Sequence, residues 1–195
     1  MNVFAKSTVC VLLLAAGAAF AQAKKANDDG SYIEASWGRW SIKPGSSTNF
    51  APTSLRGTYG WGSNGSSYEA IVYMGGAADT ATLAPGEDPD SGATVTTKVD
   101  LKMSGYAFAY KASTNLSDSL ELFGRAGIGR YTVTATTTST SGASRDSDKL
   151  SDAATSLLLG GGVKYNFSQS VGATFDYSFF GKGVSMLAAG VAFSF

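Results

Sequence analysis

The sequence predicts an all-β protein, an eight-stranded antiparallel up-and-down transmembrane β-barrel. Three observations predict it. Beyond residue 24 the hydrophobic pattern has period two, in segments of about ten residues, with no helical periodicity of useful length. The connections between segments alternate between short and long. The N-terminus has the layout of an export signal.

The export signal comes first. Lys6 supplies the positive charge, residues 9–20 form an apolar run, and Ala21-Gln22-Ala23 makes an A-x-A cleavage site. The run is too short for a transmembrane helix, which needs about 20 residues. Residues 1–23 therefore read as a signal peptide and residues 24–195 as one barrel domain. The single cysteine, Cys10, lies inside the apolar run, and Ser7-Thr8-Val9 before it is not a lipidation motif. Cleavage leaves a chain without thiol, disulfide or cysteine metal site.

Eight strands follow, read as residues 32–41, 55–61, 68–75, 98–111, 120–135, 155–167, 171–180 and 184–195. In the first, Ile33, Ala35 and Trp37 oppose Glu34, Ser36 and Gly38. In the second, Leu55, Gly57, Tyr59 and Trp61 oppose Arg56, Thr58 and Gly60. In the third, Ala70, Val72 and Met74 oppose Glu69, Ile71 and Tyr73. In the fourth, Val99, Leu101, Met103 and Ala107 are assigned to the lipid face and Asp100, Lys102 and Ser104 to the lumen. In the fifth, Leu120, Leu122, Ala126 and Ile128 oppose Glu121, Phe123 and Arg125. The sixth sets Leu157, Leu159, Val163, Tyr165 and Phe167 against Ser156, Gly162 and Lys164. The seventh sets Val171, Ala173, Phe175, Tyr177 and Phe179 against Gly172, Thr174, Asp176 and Ser178. The eighth sets Leu187, Ala189, Val191, Phe193 and Phe195 against Ala188, Gly190, Ala192 and Ser194. A ten-residue strand rises about 33 Å and, tilted near 45°, spans roughly 23 Å, close to the apolar band of an outer membrane.

Short turns fall at 62–67, 113–119 and 168–170, and long polar connections at 42–54, 76–97 and 136–152; only 181–183 breaks the alternation. That is the layout of periplasmic turns and external loops. Residues 132–144, rich in Thr and Ser, read as the top of a long hairpin and its loop.

Period two does not by itself say which face is wet. The polar faces carry few charges, of mixed sign: Glu34, Arg56, Glu69, Asp100, Lys102, Glu121, Arg125, Lys164 and Asp176. A narrow lumen has room for small side chains and paired charges, and a buried ion without a partner is costly. These nine residues are expected to form a barrel-interior ion network. Aromatics on the apolar faces cluster at strand ends. Trp61, Tyr68, Tyr165, Phe167, Phe193 and Phe195 lie toward the short turns, and Trp37, Tyr177 and Phe179 toward the long loops, which predicts two interfacial girdles.

These residues resemble the OmpA/OmpX-type small outer-membrane β-barrels, in their barrel domain only and in a porin-like sense. The segment from Gly105-Tyr106-Ala107-Phe108-Ala109-Tyr110-Lys111 through Leu120-Glu121-Leu122-Phe123-Gly124-Arg125 to Arg130 resembles that family's central hairpin. Gly190, Phe193 and Phe195 resemble its C-terminal assembly signal; Ala188 departs from the polar residue usual there. The resemblance covers the whole mature chain. It implies residence in the bacterial outer membrane, contact with lipid and lipopolysaccharide, and handling by periplasmic chaperones and the barrel-assembly machinery. It also implies a monomer, with roles in envelope integrity or surface interaction and no peptidoglycan-binding domain.

Chemistry is scarce. The chain contains no histidine, which removes Ser-His and Asp-His catalysis and histidine metal sites. The inward carboxylates read as partners of the inward bases, so no catalytic residue, cofactor or metal is expected. Gly127 and Gly129 lie in a strand and read as making room for a large interior neighbour rather than as a phosphate loop. Asp79, Glu87, Asp88 and Asp90 read as a solvated acidic loop. With zero net charge and no basic stripe, nucleic acid is excluded. Arg39, Lys43 and Arg130 near the outer strand ends are expected to contact lipopolysaccharide phosphates. The leading expectation is a structural or loop-presenting barrel with a side-chain-filled lumen. A narrow ion-conducting pore is the alternative, and a soluble periplasmic lipocalin-like carrier a third.

Overall fold

Alternating small and large side chains give strands that bury one face and expose the other, and among the described residues ten strands form. They are β1 (Asp29–Ile42), β2 (Thr53–Ser63), β3 (Ser66–Gly75), β4 (Asp79–Thr82), β5 (Gly86–Glu87), β6 (Thr94–Asn115), β7 (Leu120–Ser141), β8 (Ser144–Asn166), β9 (Val171–Phe179) and β10 (Val184–Ser194). The structure, a computed structural model, describes residues 29–42, 50–63, 65–82, 85–87, 94–141, 144–181 and 183–195. The expected signal peptide, Lys43, Asp88 and Asp90 lie outside the described residues.

Eight strands close a ring, each antiparallel to its neighbours, in the order β3-β2-β1-β10-β9-β8-β7-β6 and back to β3. The β3–β6 seam runs from Ser66↔Ala112 to Tyr73↔Gly105. First and last strands pair from Tyr32↔Ser194 to Ile42↔Val184. Phe195 extends that pairing, with Ser31 N–H donating to its carbonyl at 2.9 Å and its own N–H donating to Ser31 at 2.8 Å. Closure leaves no barrel strand with a raw edge, which a membrane requires.

The faces alternate as expected in seven strands. In the fourth predicted strand, now part of β6, they are inverted. Leu101, Met103 and Ala107 are buried inside, while Lys102 is exposed on the outer face with Tyr106, Phe108 and Tyr110. The misreading has a physical cause: both faces of β6 are apolar here, and the larger aromatic set is the one facing out.

The second departure is height. Of residues 136–152, expected as a polar connection, 136–141 and 144–152 are β-ladder, from Val133↔Asp152 up to Ser141↔Ser144. β3 stops opposite Gly105 and β9 stops opposite Leu159. β6, β7 and β8 therefore continue past the ring as a sheet, with β4 and β5 paired on the outer part of β6. β7 has 22 residues, roughly twice the length needed to cross the apolar band.

Candidate functional site

The lumen holds the buried charge. Arg56 on β2 is fully buried and lies between two carboxylates, Glu34 on the adjacent β1 and Asp176 on β9, three strands round the ring. Its Nη1 donates to Asp176 Oδ1 at 2.8 Å, its Nη2 to Asp176 Oδ2, and Nη2 also to Glu34 Oε1 at 2.5 Å. The planar guanidinium is suited to this two-point contact with Asp176. Ser178 Oγ adds a 3.2 Å bond to Asp176.

Arg125 on β7 places its Nε 3.4 Å from Glu69 Oε2 and its guanidinium 5.1 Å from the Phe123 ring. The other Glu69 oxygen accepts from the Tyr32 hydroxyl. Nearer the short turns, Lys111 pairs with Glu121 at 3.2 Å and sits 4.9 Å and 4.5 Å from the Tyr32 and Phe123 ring centres. Lys164 Nζ donates to Ser194 Oγ at 3.4 Å. An open pocket of about 210 Å³ at this mouth is lined by Tyr32, Lys111, Glu121, Lys164 and Ser194 among others.

Seven of the nine expected network residues thus lie in the lumen. Asp100 and Lys102 do not. Both sit on β6 beyond the ring with the parity of the outer face, and Asp100 accepts a 2.5 Å bond from Thr80 on β4. Lys111 was not among the nine. With it included, the lumen side chains of the described residues balance: Glu34, Glu69, Glu121 and Asp176 face Arg56, Lys111, Arg125 and Lys164. Neutrality is what a low-dielectric interior demands of buried ions.

Toward the outer side the lumen turns apolar. Trp40, Tyr73, Met103, Tyr131, Leu158, Phe180, Val184 and Met186 form one buried cluster. Trp40 is 4.9 Å from Phe180 and 5.3 Å from Tyr73, centroid to centroid, and Tyr131 meets Phe180 edge-on. Trp40 Nε1 donates to Ser54 Oγ at 2.6 Å, so its buried N–H is satisfied. The barrel is plugged above its ion network.

Gly127 and Gly129 do not make room for a large lumen neighbour as expected; Gly60 and Gly38 do, where a Cβ would come within 2.2 Å of the Tyr32 ring and 2.0 Å of the Met186 side chain. Gly127 and Gly129 face Ala109 and Ala107; at Gly127 a Cβ would meet the Phe108 carbonyl at 2.2 Å, so it permits close approach of β6 and β7.

Outside, Trp61 contacts Tyr59, Tyr68 and Phe108 at centroid distances of 5.6, 6.2 and 5.9 Å, Tyr68 contacts Tyr110 at 5.7 Å, and Tyr165 contacts Phe167 at 5.4 Å. This belt lies at the short-turn end. Trp37, Tyr106, Tyr177 and Phe179 are exposed nearer the other end. Arg39 and Arg130 are exposed on the same outward face above them. Asp79, expected in a solvated loop, lies on β4 and accepts from the Ala51 N–H at 2.7 Å.

The sequence matches the family model for the outer membrane protein beta-barrel domain over residues 9–193. The chain belongs to this family. As an outer membrane beta-barrel protein it lies in the bacterial outer membrane, and its outward face is its lipid face. No curated protein matches it at a significant level. Its fold is similar to that of Ail, the attachment invasion locus protein of Yersinia pestis, crystallised in complex with the heparin analogue sucrose octasulfate. The TM-score is 0.55 at 15% identity, over 87% of this chain and 100% of that one. A second structure of Ail from Yersinia pestis gives 0.51 at 16% identity with the same coverage. Neisserial surface protein A gives 0.48 at 15% identity, over 85% of this chain and 97% of that one.

The outer-membrane barrel draws the charged residues of its ion network from seven of its eight strands. Tyr32 and Lys111 join the network through partners on other strands. The signal for Lys111 was available: it shares parity with Ala107 and Ala109, opposite three large aromatics.

Proposed function

We propose that this outer-membrane barrel is a non-catalytic envelope protein whose lumen is a closed structural core and whose working surface is the sheet raised outside the membrane. The observation that carries this reading is the buried aromatic cluster of Trp40, Tyr73, Tyr131 and Phe180, stacked above a neutral ion network. A lumen closed by interlocked side chains gives solutes no path, so the reading favours envelope integrity or surface interaction over a narrow pore. The raised strands β6, β7 and β8 supply the surface. The same reading takes the chain as exported by a signal peptide cleaved after Ala23 and assembled as a monomer. It takes Gly190, Phe193 and Phe195 as the signal read by the barrel-assembly machinery. It also takes Arg39 and Arg130 as contacts to lipopolysaccharide phosphates at the rim.

Planar-bilayer recording of the refolded barrel tests it. No unitary conductance over many insertions is the expected result. A steady conductance that disappears when Glu121 and Arg125 are neutralised would replace this reading with the pore.

A further inference from the structure

The raised sheet has two faces that differ in charge: bases predominate on one, and among the described residues the other carries only acids. The register places Lys98, Lys102 and Asp100 of β6, Arg130 of β7, and Arg145 and Lys149 of β8 on the face that continues the lipid side of the barrel. Lys98, Lys102, Arg130, Arg145 and Lys149 are all exposed. Two acids hold positions on this face: Asp100, tied to the Thr80 hydroxyl, and Glu87 of β5, which the register sets opposite Thr94. Between the bases run Thr132, Thr134, Thr136, Thr138 and Thr140 on β7, whose partners across the ladder include Lys102, Asp100 and Lys98. The opposite face continues the lumen wall and carries Asp79, Asp146, Asp148 and Asp152, with no base among its described residues. Alternation along β8 alone, Arg145-Asp146 and Asp148-Lys149, shows the sorting in the sequence.

We infer that the outward face of this sheet is a docking surface for the phosphorylated saccharide of lipopolysaccharide in the surrounding leaflet. The inference rests on, and extends, the reading of Arg39 and Arg130 as rim contacts. Position decides the source of the anion. The basic face rises from the lipid belt, directly above Tyr106 and Phe108, so the anions it meets first are anchored in the same leaflet. Neighbouring strands lie about 4.8 Å apart and same-face residues along a strand about 6.6 Å, so Lys102 and Lys149 stand roughly 12 Å apart across β7. Several phosphates can be met at once, with threonine hydroxyls between them as neutral partners to phosphate and sugar oxygens. Arg130 at the base belongs to the rim, Arg145 offers a two-point contact on the raised face, and the lysines offer compact charges. The acidic inner face would repel the same ligand, which fixes the side that docks.

The test uses the full barrel in nanodiscs containing phosphorylated lipopolysaccharide, enzymatically dephosphorylated lipopolysaccharide, or phosphatidylglycerol alone. Three variants are compared: R39E/R130E for the rim, K98E/K102E/K149E for the raised face, and D146K/D148K for the inner face. Heat-shifted migration on a denaturing gel confirms that each is folded. The raised-face variant should bind phosphorylated lipopolysaccharide roughly tenfold more weakly than the native chain, the size expected for three exposed contacts together. It should lose nothing further on dephosphorylation, and D146K/D148K should leave binding unchanged. Loss with R39E/R130E alone, the raised-face variant binding normally, overturns this inference and leaves the rim reading intact. Loss with K98E/K102E/K149E alone removes the rim reading and keeps the face. Stronger binding by D146K/D148K would make net charge the cause and overturn the face. So would a raised-face variant that binds lipopolysaccharide normally but loses a soluble sulfated polysaccharide.

Discussion

Arg56 is the residue on which the lumen depends most directly. Replacing it by Ala leaves Glu34 and Asp176 buried beside each other without their cation, and loss of one partner of a buried pair costs about 3–5 kcal/mol. Urea unfolding of the refolded barrel should show that loss, whereas Lys111→Met should cost less, about 1–3 kcal/mol, because Lys111 and Glu121 keep 9% and 14% side-chain exposure against 0% and 2% for Arg56 and Glu34. Equal costs would mean that the deep and shallow pairs are equally solvated. Gly60 gives a second residue-scale prediction. Gly60→Val drives a side chain into the Tyr32 ring and should destabilise by about 1–3 kcal/mol, with Y32A/G60V recovering most of it. At this scale the sequence was a good guide wherever charge alternated with small residues: Glu34, Arg56, Glu69 and Asp176 read correctly from parity alone. It misled at Asp100 and Lys102, because above the ring the charges lie on the outward face while the buried face carries Leu101 and Met103, so charge parity points the opposite way from that in the ring.

The strands that differ most from expectation are β6, β7 and β8, and they carry the element-scale predictions. The raised part of the hairpin is held by its own ladder, so excising residues 134–149 and joining the stumps with a short Gly-Ser turn should leave the ring folded. The excised protein should keep its heat-shifted migration and lose no more than a few degrees of thermal stability. Failure to form the shifted band would show that the raised sheet holds the ring together. At β10, deleting Phe195 removes two backbone hydrogen bonds to Ser31 and the expected assembly signal. Outer-membrane levels should fall while periplasmic export is unaffected, as fractionation would read directly. The existence and order of the barrel strands were legible because lipid on one side enforces a strict period. The raised strands were not, because a Thr/Ser-rich segment in water looks the same as a loop when its partner strand is equally polar; only the pairing of Thr136 with Lys149 and its neighbours distinguishes them.

For the molecule as a whole, the axis has a direction: an open polar mouth, a neutral ion layer, an apolar plug, then a sheet whose faces differ in charge. If the plug is what closes the barrel, W40A/F180A should admit small ions and give a measurable conductance where the native chain gives none. Continued silence would move the block to the ion layer. That layered order was partly legible, since aromatics marked both membrane interfaces, but the plug was not, as Trp40 and Phe180 lie near the ends of the expected strands, where period two gives a face but no depth. The seam between β1 and β10 has a consequence in time. Tyr32 and Ser194 meet although they stand roughly 160 residues apart, so the last ring contact joins one of the longest chain separations available, and such contacts form slowly. Until β10 arrives, β1 and β9 each present a bare ladder to any neighbour. The pace of synthesis and delivery of that one strand therefore sets how long the unfinished barrel stays vulnerable to trading strands with another copy of itself.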